Sequence, residues 1–213
     1  MKAIHNRKWI AGIVLGLVFL SGCQGAAKAP EQVEQNSLVL RQNGGLTAYI
    51  VDVFDKSYYD VDGLKAMAEE EVSSYNSTHT GEKDSVTLNG IETGADGSLV
   101  VVSYDFAGAG AYASFMGTRL FYGTVAEAEQ AGYRFGDMNQ ILVSPSGNKS
   151  IVTDSLGTEL SGKHVALVEE GTNVYCPYKV AYISENAVVM EDGSINTAGV
   201  YEDKYPAVIV MEK

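Results

Sequence analysis

Residues 46–75 read LTAYIVDVFDKSYYDVDGLKAMAEEEVSSY: a strand pattern, a polar break and a helix pattern in succession. Positions 46–54 are dominated by β-branched and aromatic side chains, which suit a pleated, half-buried surface. Asn43-Gly44-Gly45 before them supplies the positive-φ turn of a tight hairpin and pairs them with residues 38–41. Asp60 stands where a helix N-cap belongs. Beyond it Leu64, Met67, Ala68, Val72 and Tyr75 recur at helical spacing, with Lys65, Glu69, Glu70 and Ser73 off the stripe. Residues 61–75 are therefore expected to form the main amphipathic helix, its stripe laid on a sheet.

Working outward, residues 85–93 and 98–106 flank GADG at 94–97 and read as a second hairpin. Residues 107–116 are small and apolar enough for a short helix, and 119–122 for a strand. Thr124-Val125-Ala126-Glu127 is a capping box that should open a helix of one or two turns ending near Ala131. From 141 onward the pattern is mostly β: residues 141–144, 150–154, 164–169, 173–175, 179–184, 187–191 and 207–211 are short Val-, Ile- and Tyr-rich runs between turn signals. The expected fold is α+β, an antiparallel sheet arranged as a meander or sandwich with two or three short helices. No Pro- or Ser-rich linker divides residues 37–213, so one domain is expected; the alternative division is into lobes 37–140 and 141–213.

Before this domain, Lys2, Arg7 and Lys8 precede the apolar run WIAGIVLGLVFL at 9–20. As a helix it would reach only about 18 Å, against about 30 Å for a hydrocarbon core, so it reads as the h-region of a signal peptide rather than a span. It ends in Leu20-Ser21-Gly22-Cys23, which resembles a bacterial lipobox. The resemblance implies diacylglyceryl transfer to the Cys23 sulfur, cleavage after Gly22 and palmitate-type acylation, so residues 1–22 would be a lipoprotein signal peptide. Residues 23–36, polar and small, would be a tether to the lipid. Each buried CH₂ of an acyl chain adds about 0.8 kcal/mol, and two chains give stable anchoring. VDVFDKSYYDVDGLKAMAEEEVSSYN, at 51–76, also resembles a pattern in uncharacterised surface lipoproteins of Clostridia-type Firmicutes; that resemblance implies a Gram-positive envelope and an anchor, but no activity.

The 213-residue chain carries 15 Lys+Arg against 27 Asp+Glu, a formal charge of −12. Losing Lys2, Arg7 and Lys8 on cleavage would move it to −15. With no basic stripe, a nucleic-acid partner is not expected, since phosphate binding draws its affinity from clustered cations. With Cys23 lipidated, Cys176 would be a lone thiol, which leaves no disulfide framework.

Several constellations invite chemistry. Gly108-Ala109-Gly110-Ala111-Tyr112-Ala113 matches a dinucleotide-binding G-x-G-x-x-A, but no acid ends the next strand, so a small-residue connection is the expected reading. Residues 58–69 overlay a calcium loop with Asp60, Asp62, Gly63 and Glu69 in place, yet Tyr58 occupies the first ligand position and Lys65 an apolar one; helix capping by Asp60 and Asp62 accounts for the acids. Ser146-Gly147-Asn148-Lys149 and Ser184-Glu185-Asn186 match two of the three penicillin-recognition elements, without the third, and read as turns. Cys176 and His164 offer a thiol and a base. A lone Cys among Val174, Tyr175, Pro177 and Tyr178 more often packs as a small hydrophobe. His79 falls in a polar loop, and Glu69-Glu70-Glu71 reads as a wet helix face. Tyrosines 49, 58, 59, 75, 112, 175, 178 and 182 read as ordinary strand and core residues rather than a sugar platform.

The expectation is a lipid-anchored, extracytoplasmic, non-enzymatic binding or accessory module of the cell envelope, without cofactor or metal. Its partners would be the membrane and an envelope protein, peptide or glycan. The alternative is a small exported hydrolase using Cys176 and His164.

Overall fold

The computed structural model describes residues 30, 32–54, 56, 59–79, 85–94, 97–202 and 205–213. Residues 1–22, expected to be a signal peptide, Cys23 and the expected tether as far as residue 29 lie outside the described residues. So do Tyr58 of the calcium register and the centre of the 94–97 turn.

The chain begins with the expected hairpin, β1 (Ser37–Leu40) and β2 (Leu46–Val53), then α1 (Val61–Thr78). A second hairpin follows, β3 (Val86–Thr93) and β4 (Leu99–Phe106), then α2 (Ala109–Met116), β5 (Leu120–Thr124), α3 (Val125–Gln130) and α4 (Phe135–Met138). Next come β6 (Ile141–Val143), β7 (Ser150–Val152), α5 (Leu156–Glu159) and β8 (His164–Val168). The last strands are β9 (Asn173–Tyr175), β10 (Val180–Ser184), β11 (Val188–Val189), β12 (Ile195–Asn196) and β13 (Ala207–Met211). The fold is α+β, with two mostly antiparallel sheets rather than a meander. One is ordered β11-β12-β9-β1-β2-β4-β3, the other β5-β8-β13-β10-β6-β7.

The first hairpin closes as its residues dictate. Gly44 takes φ +88°, its N–H donates to the Arg41 carbonyl at 3.1 Å, and Leu40 stands opposite Leu46. β1 then does something no local pattern signals: its other edge pairs in parallel with β9, matching Leu38 to Val174. The first sheet therefore draws strands from both sides of the 140/141 boundary, and the second takes β5 from before it. Asn36, placed in the tether by its polarity, is already docked. Its Oδ1 accepts from Val51 N–H at 2.8 Å and its carbonyl from Asn173 N–H at 3.0 Å.

Alternation decides the layers. On the inner face of the first sheet Leu38, Leu40, Leu46, Ala48, Tyr104 and Phe106 are buried. From the second sheet Ala166, Val168, Ala207, Ile209 and Met211 enter the same core. The opposite faces of β8 and β13 present Val165, Leu167, Val208 and Val210 to a second core closed by α3, α4 and α5. These two strands are buried on both faces, which is why they read as unbroken apolar runs.

α1 and α2 complete the inner layer. Asp60 caps α1, its Oδ1 accepting from Asp62 N–H at 3.1 Å. Leu64, Ala68, Val72 and Tyr75 face the core as the stripe requires. Met67 does not: it is 70% exposed. At about 100° per residue it lies about 60° beyond Leu64 and about 95° from the centre of the stripe formed by Leu64, Ala68, Val72 and Tyr75, and the contact with the sheet is too narrow to reach it. Asn76 adds a clamp that the sequence did not suggest. Its side-chain amide donates to the Val86 carbonyl at 2.8 Å and accepts from Val86 N–H at 3.2 Å, binding the helix to the end of β3. The helix runs to Thr78, with His79 as its C-cap, its ring stacked on Tyr75.

Five helices stand among the described residues where two or three were expected. The additional ones, α4 and α5, are single turns, too short for periodicity to reveal. The expected strand at 187–191 is reduced to the exposed pair Val188–Val189, and β12 went unrecognised.

Candidate functional site

A concavity of ligand size lies at one end of the second sheet, on its helical side. Its position follows from local rules. The Thr124 capping box starts α3: Thr124 Oγ1 accepts from Glu127 N–H at 3.2 Å, and Glu127 Oε2 accepts from Thr124 N–H at 2.7 Å. Those bonds hold the Glu127 carboxyl below its ordinary range. Gly132, at φ +95°, ends the helix and reverses the chain. The next turn, α4, buries Phe135 and Met138 in the second core. Arg134 and Asp137, three residues apart and exposed, remain outside it, joined through Asp137 N–H donating to the Arg134 carbonyl at 3.1 Å. Tyr133 is held by a tilted ring contact with Phe121, centroids 5.4 Å apart.

The facing wall comes from the strand ends. Leu120 pairs with Val168, so Arg119 stands opposite Glu169, and Arg119 Nη2 lies 3.1 Å from Glu169 Oε1. Val200, Tyr205 and Pro206, on the approach to β13, close a hollow of about 480 Å³. A second hollow of about 390 Å³ shares Tyr133, Arg134 and Asp137 with the first and continues to Glu129 and Asp154. Among the described residues neither the Arg134 guanidinium nor the Asp137 carboxylate has a hydrogen-bonding or ion-pairing partner. The chain has four arginines, at 7, 41, 119 and 134. Arg41 is engaged elsewhere, donating to Thr47 and Asp105 on the outer face of the first sheet. Two of the remaining three line this cleft. Sequence reading passed over it; the available signal was Arg134 and Asp137 interleaved with Phe135 and Met138 directly after a helix-ending Gly132.

The Cys176 and His164 pair is not assembled as a nucleophile and base. Cys176 follows β9, and burial alone pushes its thiol up to about 12, with no neighbouring cation to favour the thiolate. His164, at the start of β8, turns Nδ1 toward the Lys213 carbonyl at 3.3 Å and sets its ring against Tyr122 and Tyr178. Among the described residues no hydrogen bond joins the thiol to the imidazole. The Tyr122 hydroxyl nearby is buried without a partner, and its pKa is raised, by burial first and then by Tyr178 and Cys176.

The remaining candidates resolve into structure. Ser144, Ser146 and Asn148 bond one another in the β6–β7 turn, and Ser184 Oγ bonds Asn186 and accepts from Val208 N–H at 2.8 Å. Gly108 caps α2, but the strand that follows joins the other sheet antiparallel to its neighbour, so no parallel crossover cradles a pyrophosphate there. No group of three His, Cys, Asp or Glu side chains among the described residues is placed to hold a metal ion. The tyrosines are dispersed. Tyr112 is in the first core, with Tyr75 and Tyr178 packed against it, and Tyr182 packs on the second core. Tyr49 and Tyr175 lie on the outer face of the first sheet, and Tyr59 stacks on Phe54. Tyr112 also donates to Glu170 Oε1, a carboxyl raised by burial despite that bond. Among the described residues no helix is long and apolar enough to cross a membrane. In comparisons with protein-family models, curated proteins and solved structures, nothing matches this chain.

Proposed function

We propose that this chain is a lipid-anchored protein on the extracytoplasmic face of a Gram-positive cell membrane, a non-enzymatic binding or accessory module of the envelope whose ligand sits in the Arg119–Arg134 cleft. The observation that carries the anchor is Leu20-Ser21-Gly22-Cys23 directly after a 12-residue apolar run that is too short to span. The binding role is supported by the cleft: a rigid turn presents an unpaired guanidinium and an unpaired carboxylate beside aromatic walls, an arrangement for holding a polar ligand. The hydrolase reading through Cys176 and His164 is less favoured, because the half-buried thiol is pushed up to about 12 by desolvation and the imidazole is turned to Lys213 and the neighbouring tyrosines.

Metabolic labelling of the expressing cell with radioactive palmitate tests the anchor. The wild-type chain should incorporate label and be processed, and Cys23→Ala should do neither. Undiminished label in the mutant would overturn the assignment.

A further inference from the structure

We infer that the cleft binds a zwitterionic peptide of about two residues, its carboxylate held by Arg134 with Arg119 alongside and its ammonium held by Asp137, Glu129 and Asp154. This rests on the reading of the domain as a binding module, and it names the ligand class.

The charges in the two joined hollows are not mixed evenly. The first hollow is lined by Arg119, Arg134, Asp137 and Glu169, with Glu169 taken up by one nitrogen of Arg119; Arg134 and Asp137 belong to both hollows, so the asymmetry lies in Arg119 at one end and in Glu129 and Asp154 at the other. The planar guanidinium of Arg134 is left whole, and a planar fork matches a carboxylate bidentately. Toward α5 the lining carries Glu129, Asp137 and Asp154, with Arg134 the one cation on that wall among the described residues. A ligand bearing only anionic groups would meet the field of a chain at −12, and one bearing only cationic groups would find many equivalent acids over its surface. A molecule with both signs is oriented by this gradient and by little else among the described residues. Tyr133, Met138, Val200 and Pro206 give its side chain an apolar wall, and about 480 Å³ falls within the usual range for small-ligand sites. The site is also preorganised. Phe135 and Met138 anchor the backbone of the turn in the core, between Gly132 and Asn139 at φ +95° and +49°, so the order to be gained on binding is confined to the side chains of Arg134 and Asp137.

The test uses the full chain in detergent micelles and the dipeptide lysyl-phenylalanine, with its C-terminal amide and its N-acetyl form as controls, measured by calorimetry. The free dipeptide should bind, and the amide should bind about tenfold more weakly, a difference of about 1.4 kcal/mol. Arg134→Gln should abolish the acid–amide difference, Arg134→Lys should restore part of it, and Asp137→Asn, which leaves Glu129 and Asp154 in place, should shrink the difference made by N-acetylation. Both positions are exposed, and an unchanged melting midpoint certifies the fold of each variant. Equal binding of free and blocked dipeptides, or an acid–amide ratio unmoved by Arg134→Gln, overturns the inference. Palmitate labelling of the same preparation reads the anchor separately, so loss of one conclusion does not imply loss of the other.

Discussion

Leu40→Ala should unfold the whole domain at a markedly lower denaturant concentration, not the first sheet alone. Leu40 is 0% exposed, on the strand that joins β2 to β9, so every atom beyond Cβ is in the core. Removing three carbons forfeits about 2.4 kcal/mol at about 0.8 per methylene. The surrounding β-strands are held in register on both sides, so the site can collapse only partly; with the cavity term the cost becomes about 3 to 5 kcal/mol. For a domain of this size that is a fall in Tm on the order of 10 °C. Val53→Ala is the control: on neighbouring β2, but 55% exposed, it should cost about 0.5 kcal/mol or less. Urea melts followed by far-UV circular dichroism, with hydrogen exchange on amides of β3 and β13, read both magnitude and cooperativity. A loss below about 1 kcal/mol, or amides of β13 staying protected after those of β3 open, would refute the claim that the core shared by Leu40 and the inner residues of β8 and β13 makes the two sheets one cooperative unit.

Gly199→Ala should cost about 1 to 3 kcal/mol in the same melts, because its new Cβ would stand 2.7 Å from the Asn186 carbonyl oxygen, whereas Gly162→Ala, with nothing within 4 Å, should be near neutral. Glu170 has a folded-state pKa above its unfolded value, so the native state binds the proton more tightly. Stability should therefore fall as pH rises from the ordinary carboxyl range through the raised value, and Glu170→Gln should flatten that part of a Tm-against-pH profile; an unchanged profile counts against the buried carboxyl. With its thiol at about 12, Cys176 should react with iodoacetamide at pH 8 about a thousandfold more slowly than an unfolded control, and a rate near that of the control would show an accessible thiolate.

What was legible in the sequence was what a single segment determines. The Asn43-Gly44-Gly45 turn, the Asp60 cap and the Thr124–Glu127 capping box each form from residues within a few positions of one another, and each stands where expected. The runs 173–175 and 207–211 match their strands to the residue. Partner choice was not legible. Nothing in Ser37–Leu40 distinguishes an antiparallel neighbour from a parallel one, and Met67 fits a helical stripe until the width of the contact with the sheet is known. The cleft escaped notice for a related reason. Arg119 and Arg134 belong to different elements and meet only because α3 folds back across β5, while Cys176 and His164, which looked like chemistry by residue type, are separated by the burial of one and the tyrosine packing of the other.

The interior placement of the final strand governs how the chain can be made. β13 lies between β8 and β10, and β1 finds its second neighbour only when β9 exists. A polypeptide emerging from the ribosome can form its first hairpin and α1 early, but it cannot complete the first sheet until β9 to β12 are delivered, nor the second until β13 follows. Such distant pairings slow folding and leave apolar edges open meanwhile. Loss of even the last seven residues would remove Ala207–Met211 and open both cores at once, so premature termination near the C-terminus should give an insoluble product rather than a shortened, working domain.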